Sequence, residues 1–185
     1  MSISTKHGDG GRTRLFSGEE ISKNDPRTGA YGALDEAVSA IGLGRALSTD
    51  DRIRKELLQI QDTCFLIGSE LATTTSADRI LENRIGEQHL SALEELGLEL
   101  EDMVKLPPRF IIPGATPASA AIDLGRSIVR RVERMVVSLI EKGSEAPENP
   151  FLVPYLNRLS DVLFLLARFE EMKQGATLKH PGDQI

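Results

Sequence analysis

Apolar side chains return every three or four positions through five separate stretches of this chain, the signature of helices that each bury one face. Asn24-Asp25-Pro26 opens the first, with Asp25 as cap and Pro26 at the first helical position; Tyr31, Leu34, Val38, Ile41 and Leu43 follow, to about Leu47. Asp50 or Asp51 caps a second, striped by Ile53, Leu57, Ile60, Cys64, Ile67 and Leu71 and ending near residues 72–75. A weaker, acidic third covers about 87–104 through Leu90, Leu93 and Leu96, and Gly97 is expected to break it. Leu106-Pro107-Pro108 stops it, and Arg109-Phe110-Ile111-Ile112-Pro113-Gly114 reads as a short extended link. Thr116-Pro117 opens a long fourth helix that runs to roughly Lys142-Gly143. Pro147 and Asn149-Pro150 start the fifth, whose core face is Leu156, Leu159, Val162, Leu163, Leu166 and Phe169. No strand pattern of any length appears. The pattern predicts a single all-α domain: a five-helix bundle over 25–173, a polar Gly-rich arm over 1–24 and a loose polar tail over 174–185.

Two polar clusters interrupt this pattern. Arg126, Arg130 and Arg134 recur every four residues, so they stack on one side of the fourth helix, where like charges repel. An anion placed there would relieve the repulsion, and the planar guanidinium fork suits phosphate; the alternative is a solvated basic face. The fifth helix carries a polar set, Asn157-Arg158 and Ser160-Asp161. At the other end of the chain, Thr5-Lys6-His7-Gly8-Asp9-Gly10-Gly11-Arg12-Thr13-Arg14 combines glycines, hydroxyls and cations, with Lys23 a little further on. Glycines let backbone N–H groups approach a ligand. The segment lacks the ending of a Walker A loop and the preceding strand of a dinucleotide fingerprint. Alone it reads as a frayed terminus; with the arginine helix it reads as half of a triphosphate site.

Net charge of −6 over 185 residues argues against a general nucleic-acid or anionic-membrane binder, so any anion must be held locally. One cysteine, Cys64, rules out an internal disulfide framework and fits a buried packing thiol in a reducing compartment. No targeting segment and no membrane-length apolar run is visible, and a cytoplasmic protein is expected. His7, His89 and His180 lie too far apart for metal-ligand spacing. Asp35, on a mostly apolar helix, calls for a cationic partner within the subunit or across an interface. Glu133, three residues after Arg130, forms an intrahelical ion pair or holds a divalent ion on phosphates.

Four segments, TKHGDGGRTRLFSGE, SKNDPRTGAYGALDE, FIIPGATPASAAIDLGRSIVRRVERMVV and YLNRLSDVLFLLAR, in this order and spacing, resemble the PduO-type ATP:cob(I)alamin adenosyltransferases over nearly the whole chain. The resemblance implies a five-helix bundle, assembly as a homotrimer and active sites between subunits. It implies that ATP, with Mg²⁺, gives its 5′-deoxyadenosyl group to cob(I)alamin or a cob(I)yrinic acid a,c-diamide, with triphosphate leaving. A reductase and an adenosylcobalamin-dependent enzyme are implied partners. On matching positions it assigns ATP contacts to Thr5, Lys6, His7, Gly8, Asp9, Thr13, Arg14, Lys23, Arg130, Arg131, Glu133, Arg134 and Asn157, with Glu133 also serving Mg²⁺. Asp35 would pair across the interface with Arg126; Phe110 would crowd the lower face of the corrin and Phe164 would make a second apolar contact. Three positions depart from the family pattern: His7 replaces a usual Thr, Ala115 a Gly, and Asp123 a common His.

Alkylation of cobalt needs no protein nucleophile, so the absence of a Ser/His/Asp or Cys/His set is expected. A non-catalytic corrinoid carrier of the same fold is the main alternative. It would keep the apolar wall without needing Lys6, Lys23, Arg130, Glu133 and Asn157 together.

Overall fold

A computed structural model describes residues 6–143 and 148–183. It contains five helices, α1 (Pro26–Leu47), α2 (Asp51–Leu71), α3 (Glu87–Val104), α4 (Pro117–Glu141) and α5 (Leu152–Lys173). The starts follow the capping chemistry. The Asp25 carboxylate accepts from Arg27 N–H at 2.8 Å and that of Asp50 from Ile53 N–H at 3.0 Å. At α4 the hydroxyls and backbone N–H groups of Thr116 and Ser119 bond reciprocally, at 3.0 and 3.1 Å, ahead of Pro117. The expected start at Pro147 lies outside the described residues. Asn149 fixes the approach to α5: its side chain accepts from Phe151 N–H and donates to the buried Glu70 carboxylate at 2.8 Å.

α5 is the axis of the bundle. It packs between α3 and α4, α1 lies along α4, and α2 lies along α1. Leu152, Leu156, Leu159, Val162, Leu163 and Leu166 of α5 are all essentially inaccessible. Burial of each such side chain contributes about 1.5–3 kcal/mol, and this apolar stripe holds α5 at the centre of the bundle.

The tightest crossing joins α1 to α4. A methyl group on Gly44 would lie 2.7 Å from Ile122 Cγ1, and one on Gly125 would lie 2.9 Å from Ile41 Cγ1. These glycines let the two backbones approach. With Gly29 beside Met135, the contacts run antiparallel, so the start of α1 faces the C-terminal half of α4.

Three expectations need correction. Gly97 does not break α3; the helix runs through it, and the glycine sits in the α3–α5 contact, where an added Cβ would be 3.5 Å from Val162 Cγ2. The arm contains strands after all: β1 (Arg12–Arg14) pairs antiparallel with β2 (Glu20–Ser22), Thr13 opposite Ile21. The tail, as far as Asp183, is tied to the link. Ile112 and Lys179 form a bridge, His180 Nδ1 lies 2.8 Å from the Phe110 carbonyl, and Arg109 reaches Asp183 at 3.5 Å. The His180 N–H, with the Arg109 charge behind it, holds the Asp183 carboxyl below its usual range.

Candidate active site

A cavity of about 250 Å³ opens between the arginine face of α4, the polar set of α5 and the end of α3. Arg126, Arg130, Arg158, Ser160, Asp161 and Phe164 line it. The helical period brings Arg126 and Arg130 together, as the spacing requires. Their repulsion is relieved unequally. Arg126 Nε donates to Asp123 at 2.9 Å, and the guanidinium stands 6.0 Å from the centre of the Phe164 ring. Arg130 has only a long contact, NH1 to the Ser160 hydroxyl at 3.4 Å. Arg134 turns back to donate to the Arg130 carbonyl at 2.9 Å. Arg131, on the neighbouring face, is committed to an ion pair with Glu36 of α1. Of these four arginines, Arg130 has the weakest internal contact.

Glu133 does not form the intrahelical pair that its spacing allowed. Its carboxylate accepts from Asn157 Nδ2 at 3.0 Å, tying α4 to α5 and joining two of the sequence-predicted nucleotide residues. Among the described residues no cluster of three or more His, Cys, Asp or Glu side chains is placed to hold a metal ion by itself. A divalent ion near Glu133 would need further ligands from a bound phosphate.

The arm forms a second group. Residues His7–Gly10 make a short 3-10 turn between Lys6 and Gly11, both with left-handed backbone. The Lys23 N–H bonds to the Gly11 carbonyl at 2.9 Å, and its ammonium lies where a Cβ on Gly8 would be only 2.7 Å away. The Lys23 side chain thus lies directly against the Gly8 backbone. Lys6, Asp9, Arg14 and Lys23 are exposed and Thr13 is half-buried; Thr5 lies outside the described residues. The hairpin is anchored to the end of α2, Phe16 N–H bonding to the Ala72 carbonyl at 2.8 Å and Thr74 to the Glu19 carboxylate. The hydroxyls of Ser17 and Thr74 hold Glu19 below its usual range.

Two residues stand apart from both groups. Phe110 is 87 % exposed and is not among the residues packed against the core. The link that carries it is held by the tail through the contacts described above. Asp35 is exposed on α1 at the rim of a shallow groove that includes Tyr31, Val38 and Phe65. Phe65 is 65 % exposed there, so this groove presents apolar surface as well as charge.

One constellation escaped the reading of the sequence. Asp123 is buried and accepts from Arg168 NH2 at 2.5 Å as well as from Arg126; Arg168, fully buried, also pairs with Glu171 at 2.6 Å. The available signal was a lone arginine inside the apolar run Leu163-Phe164-Leu165-Leu166-Ala167-Arg168-Phe169.

Comparison with known proteins now gives this arrangement a class. Residues 3–170 match the family model described as cobalamin adenosyltransferase. A corrinoid adenosyltransferase of Citrobacter freundii is 39 % identical over 171 residues, covering 91 % of this chain and 94 % of that protein. The corrinoid adenosyltransferase PduO of Salmonella typhimurium is 36 % identical over 171 residues; the match takes in 92 % of this chain and 50 % of that protein, so the chain spans about half of its length. Among solved structures, a variant of the PduO-type ATP:corrinoid adenosyltransferase from Lactobacillus reuteri, complexed with cobalamin and ATP, superposes with a TM-score of 0.89 at 33 % identity, covering 98 % of this chain and all of that one. The protein is a transferase of the corrinoid adenosyltransferase class. The chain belongs to the cobalamin adenosyltransferase family, and both the fold and the family expected from its four segments hold. No helix among the described residues is long and apolar enough to cross a membrane.

Proposed function

We propose that this protein transfers the 5′-deoxyadenosyl group of ATP to the cobalt of a cob(I)alamin-type corrinoid, releasing triphosphate, and that it does so as a homotrimer with sites between subunits. The observation that supports this most is the cavity in which Arg126 and Arg130 face the same space as the Phe164 ring. One wall suits a polyanion and the other suits a large apolar macrocycle.

In this reading the arm loop, with Lys6, His7, Gly8, Asp9, Thr13, Arg14 and Lys23, holds the triphosphate from one side. Arg130 and Asn157 serve the other, Arg131 and Arg134 join them by exchanging Glu36 and the Arg130 carbonyl for phosphate oxygens, and Thr5 is a further contact. A Mg²⁺ ion would rest on the phosphates and Glu133 and lower their charge. The reduced metal of the corrinoid supplies the electron pair, attacks the 5′-carbon and forms the carbon–cobalt bond as the carbon–oxygen bond to triphosphate breaks. No proton moves, so the protein needs no general base. Its tasks are alignment and neutralisation of the leaving group, which well-placed guanidinium groups perform in a partly dry site.

Phe110 and Asp35 are the residues that a second subunit would complete. An exposed ring on a link stiffened by Pro107, Pro108, Pro113 and the tail is suited to occupy the lower face of a corrin. It would exclude an axial base and ease reduction of the metal. Asp35, exposed beside an apolar groove, is suited to meet the terminal nitrogens of a neighbour's Arg126. A cytoplasmic setting with a reductase as electron donor fits the same scheme.

The carrier alternative differs in one respect, turnover. Purified protein mixed anaerobically with chemically reduced cobalamin, ATP and Mg²⁺ is expected to convert the absorbance spectrum to that of the adenosylated form over many turnovers. Stoichiometric binding with no conversion would instead establish a carrier.

A further inference from the structure

Asp123 does not line the cavity, yet it organises its apolar end. Its Oδ1 accepts from Arg126 Nε at 2.9 Å and its Oδ2 from Arg168 NH2 at 2.5 Å. Both guanidinium groups stand over one ring, Arg126 at 6.0 Å and Arg168 at 5.0 Å from the Phe164 centroid. The carboxylate is 3 % exposed and Arg168 is 1 % exposed, while the Arg126 side chain reaches the cavity. One carboxylate therefore bridges an accessible arginine, a buried arginine and, through both, an aromatic wall.

A purely structural ion pair would not need this arrangement. Glu171 already neutralises Arg168 through two contacts, Nε to Oε2 at 2.6 Å and NH2 to Oε1 at 2.9 Å. What Asp123 adds is the link from that buried pair to Arg126. Desolvating charge is costly and a well-packed apolar group would serve stability as well. The benefit of the bridge is geometric, because cation–π contact on a ring and a fixed Nε both restrict how Phe164 and Arg126 are presented.

We propose that Asp123 is a positioning residue for the corrin side of this site, fixing Phe164 and the Arg126 fork before the corrinoid arrives. The inference rests on the adenosyltransferase reading above. Steady-state titrations of the full-length protein, with ATP and corrinoid varied separately, test it. Asp123→Asn keeps the shape but loses the charge; it is expected to raise KM for the corrinoid about tenfold or more while KM for ATP stays within about twofold. Glu171→Gln removes a carboxylate from the same buried cluster without touching Arg126. It is expected to lower the melting temperature to a similar extent and to leave the corrinoid KM within about twofold of the parent.

An unchanged corrinoid KM in Asp123→Asn, or an equal rise in both variants, would overturn the proposal. If Asp123→Asn is insoluble, Asp123→Glu keeps the charge but displaces it by a methylene; a raised corrinoid KM supports the proposal and a parental one overturns it. Should the parent protein bind corrinoid without adenosylating it, the functional reading fails. The corrinoid dissociation constants of the same variants then decide the positioning role by the same differences.

Discussion

Replacing Arg130 with alanine separates binding chemistry from fold stability more cleanly than any other change at this site. The residue is exposed, and among the described residues its one side-chain hydrogen bond is the 3.4 Å contact to the Ser160 hydroxyl, at the limit of what such a bond allows. Ser160 keeps its own bond to the Asn157 carbonyl at 2.9 Å, so removing the arginine orphans no buried group. Alanine is also the better helix former. The stability change is therefore expected to stay within about 0.5 kcal/mol. A charge-assisted hydrogen bond to a phosphate oxygen is worth about 1.5–3 kcal/mol, so kcat/KM for ATP should fall about 10- to 160-fold. The assay follows adenosylation by absorbance at fixed, saturating corrinoid while ATP is varied, with a melting curve run on the same preparation. A parental ATP titration would place the phosphate site elsewhere. A large drop in melting temperature would show that Arg130 holds the helices together and would undo the reasoning.

Four further outcomes follow from particular contacts. Phe110→Ala should melt like the parent, because the ring is 87 % exposed, yet it should lose most turnover from Co(II) corrinoid and show less four-coordinate Co(II) in the ATP complex by magnetic circular dichroism. Asp35→Asn should lower activity through corrinoid binding in an assembly that sediments as a trimer; exchanging charges with Arg126→Asp should restore only part of it, since the new carboxylate would face Asp123, and an active monomer would refute the pairing. Gly44→Val should cost about 1–3 kcal/mol by chemical denaturation, because its Cβ starts 2.7 Å from Ile122 Cγ1 and 3.3 Å from the Ile122 backbone nitrogen. Burial pushes the Cys64 thiol from 9.0 up to about 12, so alkylation by iodoacetamide at pH 8, read by mass spectrometry, should proceed only as fast as the chain opens. The proton is held more tightly in the folded state, so this thiol leaves stability unaffected below 9.0 and reduces it as pH rises toward about 12.

Capping chemistry made the helices legible. Asp25-Pro26, Asp50 and Thr116-Pro117 each mark a start within a residue, because a cap side chain and a proline act locally and leave a local trace. What failed to show depends on partners distant in sequence. Gly97 reads as a breaker from its neighbours alone, yet the helix runs through it and packs there against Val162 of α5, a partner 65 residues away. The hairpin has three residues in each strand, too few for alternation to register, and its pairing with the end of α2 is a tertiary fact. The tail is polar because it lies on the surface; the partners that order it, Arg109, Phe110 and Ile112, lie about seventy residues earlier.

The site divides along the same line. The arginine period is local and correctly brings Arg126 and Arg130 to one cavity. Asp123 and Arg168, 45 residues apart, announce nothing until α4 and α5 are packed together. Asp35 has the same character. It is exposed beside Phe65, and the pairing proposed for it needs a second chain.

The most direct test of the central claim is the identity of the bonds made and broken. ATP labelled with ¹³C at the 5′-carbon, turned over anaerobically with Mg²⁺ and reduced cobalamin, should yield one new ¹³C resonance of an alkyl carbon on cobalt. An equal amount of intact triphosphate should appear by ³¹P NMR. Release of pyrophosphate or orthophosphate in place of triphosphate, or label that stays on free nucleoside while the corrinoid is merely bound, would contradict the account.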